Sequence, residues 1–295
     1  MEAERKYSYY PGCSLMVTNR SYDISTRNVA AVLGIEMAEI EDWNCCGATA
    51  YYPVREKRSY VLSARNLSIA ERDSTDLITV CSGCYAVLKK TDKYLSEDEE
   101  LREEIRAALR EGGMDYEGKV KVRHFLEVLT KDLGEEAVRR HVVNSLDGMK
   151  VAPYYGCLFG RPFGGRDEFE FPEAMDDLIR WLGGEPAPFP LKSKCCGGML
   201  MTTQPDMALN MTGKILRNAK SCGAVCIATC CPLCQINLEG YQGKVSKRMG
   251  SDCSIPVVYF TQLMGYAFGL DAEQLALKDC LTDVDSVFAQ RGSKR

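Results

Sequence analysis

The feature that most constrains this chain is a set of five cysteines that occurs twice. In the first half, a single cysteine is followed after 31 residues by an adjacent pair, and after 34 more by a C-x-x-C. In the second half the two intervals are 37 and 34 residues. Such self-similarity predicts two copies of one structural unit. The two sets are Cys13, Cys45, Cys46, Cys81 and Cys84, and Cys157, Cys195, Cys196, Cys231 and Cys234.

The residues around the cysteines repeat as well. "YYPGC" at residues 9–13 matches "YYGC" at 154–157, and glycine follows the adjacent pair in both halves. Further on, "VRHFLEVL" at 122–129 resembles "VVYFTQLM" at 257–264. We therefore predict two tandem duplicated domains, residues 1–147 and 148–295, with the boundary near Gly148.

Periodicity and glycine punctuation predict an α/β fold in each copy. Helical patterns cover 22–33 and 172–182, each closed by glycine, and longer ones cover 55–72 and 205–219. Short apolar strands at 76–80 and 224–229 lead into the C-x-x-C segments. Alternating strands and helices predict small parallel sheets flanked by helices, here in two copies related by a pseudo-two-fold axis. All five cysteines of a copy should then lie on loops at strand ends, where ligands collect.

A charged insertion at residues 96–113 has no counterpart in the second half. Ser96 and Glu99 have the spacing of a capping box. One helical face carries Leu101, Ile105, Ala108 and Leu109. We interpret it as a solvated helix covering the first domain. A docking surface for a partner protein is the alternative.

Composition excludes several classes of protein. The 295-residue chain has a net charge of −4 with no basic stripe, which makes nucleic acid an unlikely partner. The first residues lack the apolar core of a signal peptide, and the apolar stretch at 257–270 is too short to span a bilayer. We expect a cytoplasmic protein without a transmembrane segment.

Fifteen cysteines in a reducing compartment indicate metal or redox chemistry rather than disulfides. The two histidines, His124 and His141, lie in neither set, so a thiolate-only site remains. Five thiolates exceed what one structural zinc takes, and the sequential ferredoxin spacings are absent. An iron–sulfur cluster of unusual shape is left. Cys226 and Cys230 are expected to be small buried residues, and the pattern gives no role to Cys222, Cys253 and Cys280.

The pattern C-x31-CC-x34-C-x-x-C, followed by C-x37-CC-x34-C-x-x-C, resembles the paired CCG domains of the HdrB subunit of heterodisulfide reductase over residues 7–270. The resemblance implies two noncubane 4Fe-4S clusters, one on each set of five cysteines. It also implies cleavage of a mixed disulfide, coenzyme M joined to coenzyme B, into two thiols between them. Implied partners are an HdrC-like iron–sulfur subunit and an HdrA-like flavin subunit, fed by a hydrogenase or formate dehydrogenase.

That substrate is anionic, so cations near the motifs are candidate substrate ligands. His124, on a predicted apolar strand at 122–129, is a candidate proton donor, with a buried structural histidine as the alternative. As the family is understood, methanogen members place proline after the first cysteine pair, whereas this chain has Gly47 and Ala48. The difference concerns the substrate rather than the cluster. The candidate cations are Arg161, Arg166, Arg20, Arg55 and Lys194, with Lys57 and Lys192 also near cysteines.

Three functions remain open from the sequence. The first is the catalytic subunit of a heterodisulfide reductase-type complex. The second is an electron-transfer subunit of another redox complex, acting in quinone, organic-acid or acyl-CoA chemistry or on another disulfide. The third is a protein in which one motif holds zinc, or no metal, and serves structure.

Overall fold

Two four-stranded parallel sheets organise the chain. The computed structural model describes residues 5–49, 51–73, 75–161 and 170–288. The first sheet has the strand order β2-β1-β3-β4 and the second has the matching order β6-β5-β7-β8. This confirms the predicted fold class of two duplicated α/β units with small parallel sheets. The strands are β1 Arg5–Tyr9, β2 Ile35–Glu39, β3 Leu77–Thr79, β4 Val122–His124, β5 Lys150–Tyr154, β6 Glu185–Pro186, β7 Cys226–Thr229 and β8 Val257–Tyr259.

The strands that lead to the C-x-x-C segments are central and completely buried. Every residue of β3 and of β7 is buried, because a parallel sheet covered by helices on both faces leaves its central strands no solvent. This is why "LIT" and "CIAT" are continuous apolar runs rather than alternating ones. Helices pack on both sides, and in the described ranges none is long and apolar enough to cross a membrane.

The helices of the first half follow the predicted positions closely. The patterns at 22–33 and 55–72 correspond to α2 and α3, each within about two residues at its ends. The helices are α1 Cys13–Val17, α2 Arg20–Val32, α3 Glu56–Glu71, α4 Ser82–Glu97, α5 Glu99–Glu111, α6 Phe125–Glu127 and α7 Gly134–Arg139, with a π-helix at Val128–Leu133.

In the second half, the patterns at 172–182 and 205–219 correspond to α8 and α10. The domain boundary near Gly148 stays a prediction. The helices are α8 Ala174–Trp181, α9 Leu200–Thr203, α10 Pro205–Ser221, α11 Pro232–Gly240, α12 Gln242–Met249, α13 Phe260–Ala267 and α14 Asp285–Phe288, with a 3-10 helix at Leu277–Asp279.

The charged insertion forms α5, but its start was predicted wrongly. The N-cap is Asp98, whose carboxylate accepts from the Leu101 N–H, whereas Ser96 lies in the last turn of α4 and bonds to Lys93. Asp98 suits the N-cap because its charge also favours the helix N-terminus. Ile105 and Leu109 are buried against α3 and α4. This packing agrees with the prediction of a solvated helix that covers the first domain.

Two further expectations about local structure were wrong. The second cysteine of each C-x-x-C, Cys84 and Cys234, lies in the first turn of a helix rather than on a loop, and Cys13 begins α1. The stretch at 122–129 is not one strand, because β4 ends at His124 and a helix begins at Phe125. His124 caps that helix, accepting the Leu126 N–H on Nδ1.

A single hydrophobic core is shared by both halves. Helix α2 of the first half packs on α13 of the second, and α8 of the second half packs on α6, α7 and the π-helix of the first. The exchange is reciprocal, because each half contributes a helix that packs on helices of the other. Two smaller cores, one within each half, lie on the opposite faces of the sheets. The shared core includes Tyr9, Tyr22, Phe125, Tyr259 and Phe260.

A stacked tyrosine pair lies at the centre of the shared core. The rings of Tyr22 and Tyr259 are 3.8 Å apart and nearly parallel. Asn19 donates to the Tyr259 hydroxyl at 2.6 Å, and Ser25 bonds Thr261 at 2.7 Å. These polar contacts across the halves fix the register of α2 against α13, because each is buried and satisfied only in that register.

We expect Tyr22→Ala to lower the free energy of unfolding by about 3–5 kcal/mol, the usual cost of removing a buried aromatic ring. Tyr22→Phe is the matched control. The Tyr22 hydroxyl is buried without a hydrogen-bond partner among the described residues, so its removal should cost under about 1 kcal/mol. Urea denaturation measures both. Because the core is shared, Tyr22→Ala should shift one transition for the whole chain; two separated transitions, with only one shifted, would contradict a shared core.

Candidate functional site

The structure gathers the five cysteines of each half at the carboxyl edge of its sheet. We call them the first cysteine site (Cys13, Cys45, Cys46, Cys81, Cys84) and the second cysteine site (Cys157, Cys195, Cys196, Cys231, Cys234). In the first, Cys13 Sγ lies 3.7 Å from Cys45 Sγ, and Cys46 Sγ lies 3.3 Å from Cys84 Sγ. In the second, Cys195 contacts Cys157 and Cys196, and Cys234 contacts Cys196 and Cys231. Equivalent cysteines are therefore in contact in the two sites.

The two sites meet through one cysteine of each. Cys81 and Cys231, the first cysteines of the two C-x-x-C segments, lie close enough that each shifts the pKa of the other, that of Cys81 downwards and that of Cys231 upwards. We call this meeting point the junction. A hydrogen bond between neighbouring residues also joins the two halves there, since Ser82 Oγ donates to the Cys230 carbonyl at 2.9 Å. All ten sulfurs therefore form one continuous series with the junction at its middle. No sequence pattern predicted this contact, because it joins residues 150 positions apart.

Glycine before the single cysteine is required in both copies. Gly12 and Gly156 have φ angles of 78° and 68°, in the left-handed region that favours glycine. A Cβ at Gly12 would stand 3.0 Å from Cys84 Sγ, and one at Gly156 only 2.8 Å from Cys234 Sγ. Cys84 Sγ and Cys234 Sγ therefore pack directly against the backbone of a glycine, Gly12 and Gly156 respectively.

The loop after each adjacent pair directs backbone N–H groups at sulfur. Gly47 N–H donates to Cys45 Sγ and Gly197 N–H to Cys195 Sγ, each at 3.4 Å. Both glycines have positive φ, which turns the chain back towards the pair. Hydroxyls on the following helices hold the carbonyl of the second cysteine: Ser63 bonds Cys46 O and Thr212 bonds Cys196 O, both at 3.0 Å.

Hydrogen bonding within each site separates thiolates from thiols. The bonds from Cys13 and Cys46 lower the pKa of Cys45 to about 2, and those from Cys157 and Cys196 lower the pKa of Cys195 to about 2. The bond from Cys231, then that from Cys84, holds the pKa of Cys81 well below its usual range. Cys45 raises the pKa of Cys46 to about 12, and Cys195 that of Cys196 to about 12. Each site thus presents thiolates, the form that binds metal.

Buried tyrosines lie beneath both sites. Tyr10 and Tyr154 are fully buried, and their hydroxyls donate to the carbonyls of Asn44 at 2.8 Å and Lys194 at 2.6 Å. Each tyrosine therefore ties the strand before the single cysteine to the segment before the adjacent pair. The signal was present in the sequence, since both copies have a tyrosine at the third position before the single cysteine.

The second site has an additional buried anchor. Lys192 Nζ lies 2.8 Å from Asp176, and the Tyr155 hydroxyl donates to the same carboxylate at 2.7 Å. The Lys192 carbonyl in turn accepts the N–H groups of Tyr155 and Gly156. Lys192 and Asp176 are 9% and 6% exposed, so the pair holds the backbone before Cys157 rather than recognising a ligand.

The candidate cations lie at different places around the sites. Arg161 is exposed, and its charge helps to lower the pKa of Cys195, after the bonds to the neighbouring cysteines and a backbone N–H. Arg20 begins α2, Arg55 is the N-cap residue of α3, and Lys194 precedes the second pair; all three are exposed. Lys57 is paired with Glu104. Arg166 lies outside the described residues.

His124 is fully buried between the two halves. Its Nε2 lies 3.0 Å from the Val80 carbonyl, while Nδ1 accepts the Leu126 N–H. Burial lowers the pKa of His124 to about 4, so the ring is neutral at neutral pH. Both nitrogens are engaged by the backbone, which is the arrangement of a structural histidine. The proton-donor role stays a prediction, and this geometry favours the alternative.

The remaining cysteines lie outside both sites. Cys226, Cys230 and Cys253 are buried, as expected for the first two, and Cys230 bonds Ser82 at the junction. Cys222 donates to the Pro188 carbonyl, and Cys280 contacts Gln262. In the described ranges, no three or more His, Cys, Asp or Glu side chains converge as a single metal ion would require.

Comparison with known families gives a direct match to the duplication. The cysteine-rich domain family (CCG) matches residues 7–89 and again residues 151–239. A solved structure of a hypothetical protein from Helicobacter pylori has a TM-score of 0.73 at 13% identity, covering 94% of this chain and 52% of its own. That likeness shows the fold alone.

Named relatives match over nearly their full lengths. The membrane anchor subunit of the 8-methylmenaquinol:fumarate reductase of Wolinella succinogenes is 33% identical, covering 95% of this chain and 98% of its own. The HdrB subunit of the ferredoxin/F420H2-dependent CoB-CoM heterodisulfide reductase of Methanosarcina acetivorans is 32% identical, covering 92% of each chain. An HdrB-like heterodisulfide reductase protein of Archaeoglobus profundus is 30% identical, covering 96% of each.

We expect Gly12→Ala and Gly156→Ala to lower the free energy of unfolding more than Gly34→Ala does. All three glycines have positive φ, which costs a non-glycine residue about 1–2 kcal/mol. A Cβ at Gly34 meets nothing within 4 Å, so that variant measures the backbone cost alone. The excess in the other two reports the clash with Cys84 and Cys234. Urea denaturation measures it, and equal losses in all three variants would show that the sulfurs move aside freely.

Acidification should destabilise the protein through His124. The unfolded imidazole binds a proton below about pH 6.5, but the buried ring does so only near pH 4. The neutral His124 ring therefore makes its full contribution to the free energy of unfolding above about pH 6.5. This contribution is lost as the pH falls towards 4, and the loss is at most about 3 kcal/mol. Urea denaturation at pH 7 and pH 4.5 tests this. His124→Gln should show a smaller acid loss than the parent protein, and an unchanged loss in this variant would refute the assignment.

Proposed function

The chain belongs to the cysteine-rich (CCG) domain family, and from that membership we propose that it is the HdrB-like catalytic subunit of a heterodisulfide reductase-type complex. It reduces a disulfide, such as that of coenzyme M and coenzyme B, to two thiols between two noncubane 4Fe-4S clusters. The observation that carries this proposal is the junction of two equivalent five-cysteine sites at Cys81 and Cys231. The named relatives support it through HdrB proteins matched over almost the whole chain.

The donor set fits iron–sulfur clusters. Each site offers sulfur alone, with Cys45, Cys81 and Cys195 as thiolates and further thiols within contact distance. Zinc would use four ligands arranged around one ion, whereas these sulfurs lie in a series in which adjacent cysteines contact both neighbours. When bound, such clusters supply electrons one at a time and offer iron to sulfur ligands. The ten cysteines of the first and second cysteine sites would hold them.

Duplication matches the stoichiometry of the reaction. Converting RS–SR′ to RSH and R′SH consumes two electrons and two protons, and the S–S bond breaks as both arrive. Two equivalent sites in sulfur contact allow each product sulfur to be retained at its own site until protonation. The protein contributes the placement: the shared core holds both sheet edges so that the two sites face one region.

The electrons must come from another protein. We propose an HdrC-like iron–sulfur subunit and an HdrA-like flavin subunit as partners, with a hydrogenase or formate dehydrogenase behind them. Arg161 is the proposed ligand for an anionic group of the substrate, because it is exposed beside Cys195. Arg166, Arg20, Arg55 and Lys194 are further candidates. Guanidinium groups suit this role because they bind carboxylate, phosphate and sulfonate through paired hydrogen bonds.

A second function has its own supporting observation. The relative from Wolinella succinogenes belongs to a menaquinol:fumarate reductase, and it is as similar to this chain as the HdrB proteins are. The chain could therefore be an electron-transfer subunit of a different redox complex. Purified protein given artificial reductant and a panel of disulfides separates the two. Thiol production without any partner supports the reductase, and none with any disulfide supports the relay.

We expect Cys81→Ala and Cys231→Ala each to abolish disulfide reduction and to remove a different cluster signal in paramagnetic resonance. Protein prepared without oxygen should contain about eight irons per chain and no zinc, for two clusters of four irons. Cys222→Ala is the matched control, because Cys222 bonds a carbonyl outside both sites and should leave iron and turnover unchanged. Full turnover in either junction variant, or four irons with one zinc, would contradict the two-cluster reductase.

A further inference from the structure

The hydroxyl of Tyr22 is a buried donor for which the described residues offer no acceptor. Tyr22 lies in the first turn of α2, is 0% exposed and belongs to the core that both halves share. A buried hydroxyl normally forms a hydrogen bond, because an unsatisfied one destabilises the fold. Tyr9 and Tyr155 lie in the same core, and the hydroxyl of each donates to a carboxylate at 2.7 Å. Tyr22 is therefore an exception that needs a physical reason.

Tyr22 lies beside the junction of the two cysteine sites. Its ring stacks on that of Tyr259 at 3.8 Å. Asn19 Nδ2 donates to the Tyr259 hydroxyl at 2.6 Å and to the Pro232 carbonyl at 3.4 Å. Pro232 follows Cys231 directly in the chain. These contacts therefore lead from the stacked rings to the first cysteine of the second C-x-x-C.

The charges around Tyr22 keep the proton on its hydroxyl. Burial raises the pKa of Tyr22 well above its usual range, and neighbouring groups that carry negative charge raise it further. In decreasing order of effect, these neighbours are Cys230, Tyr259, Cys81 and Cys231. Of the junction cysteines, Cys81 is the thiolate, because its pKa lies well below the usual range. A hydroxyl that can only donate is therefore placed within the electrostatic influence of an ionised sulfur.

The second half has no equivalent of this hydroxyl. The glycines that follow α2 and α8, Gly34 and Gly183, correspond at an offset of 149, which aligns Tyr22 with Phe171. Phe171 has no hydroxyl and is 57% exposed, whereas Tyr22 is completely buried. The two cysteine sites match in their sulfur contacts, but only one half supplies a buried phenol to the junction.

We propose that the Tyr22 hydroxyl donates a hydrogen bond to the anionic sulfur of the cluster that Cys81 holds, and thereby raises the reduction potential of that cluster. Cluster sulfur accepts such bonds, and each bond stabilises the reduced state, which carries one more negative charge. The bond also gives an acceptor to a hydroxyl that has none among the residues described. The inference rests on the proposed function, because it requires a cluster at the first cysteine site.

The test is a redox titration of the holoprotein, followed by paramagnetic resonance rather than by turnover. Tyr22→Phe keeps the ring and its stacking and removes only the donor. At a fixed solution potential, we expect the ratio of reduced to oxidised cluster to fall about tenfold for the signal that Cys81→Ala removes. That change corresponds to a shift of about 59 mV for one electron. A stronger donor, 3-fluorotyrosine at position 22, should shift the potential of the same signal in the opposite direction.

Tyr116→Phe is the matched control, since it removes the hydroxyl of another buried tyrosine. The Tyr116 hydroxyl donates to Asp92, which lies about 15 Å along α4 from the start of that helix at Ser82. This variant should leave the potentials of both clusters unchanged.

An unchanged potential in Tyr22→Phe would overturn the proposal and would indicate that water satisfies the hydroxyl. Equal shifts in Tyr22→Phe and Tyr116→Phe would also overturn it. The fluorotyrosine protein decides the matter even if Tyr22→Phe fails to fold, because an unchanged or lower potential contradicts donation. The expected shifts in a protein that reduces no disulfide would keep this inference and overturn the enzymatic function; a protein without iron would overturn both.

Discussion

The packing of α2 of the first half on α13 of the second, together with its reciprocal counterpart, is the contact on which the structure depends. Tyr22 stacks on Tyr259, and the reciprocal contact of α8 with α6 and the π-helix completes the core. Buried parallel strands place their carboxyl ends beside this core, so the C-x-x-C segments of the two halves arrive next to each other. The contact of Cys81 with Cys231 follows from the hydrophobic packing several residues away. Neither site has its geometry without the other half.

Much of this arrangement follows from local sequence, and the remainder does not. A helix and a strand could be predicted between the adjacent pair and the C-x-x-C from periodicity and a continuous apolar run, because both are local signals. The start of α5 was missed because Ser96 and Glu99 mimic a capping box, while Asp98 makes the actual bond. The residues 122–129 were misread because the apolar run continues from β4 into a helix without punctuation.

The cross-half contacts had no signal in one sequence. Cys81 meets Cys231, and Tyr22 stacks on Tyr259, through packing between elements far apart along the chain. The role of Lys192 was likewise hidden, since its position near Cys195 suggested ligand recognition and burial with Asp176 assigns it to structure. Individual cysteines could be grouped by spacing alone. The order of the cysteines in the sulfur series could not be predicted without the fold. The same is true of which cysteines are ionised, because that depends on their hydrogen bonds.

The reciprocal core also has a consequence for how such a chain can arise. The first half by itself would leave uncovered the apolar faces of α2, α6 and the π-helix, which are the surfaces that the other half covers. Two identical halves would therefore associate through an isologous interface with two-fold symmetry. A symmetric dimer of that kind has two equal sulfur sites. Joining the halves into one polypeptide is what allows Tyr22 and Phe171 to differ, so that one side of a symmetric centre can change while the other is preserved.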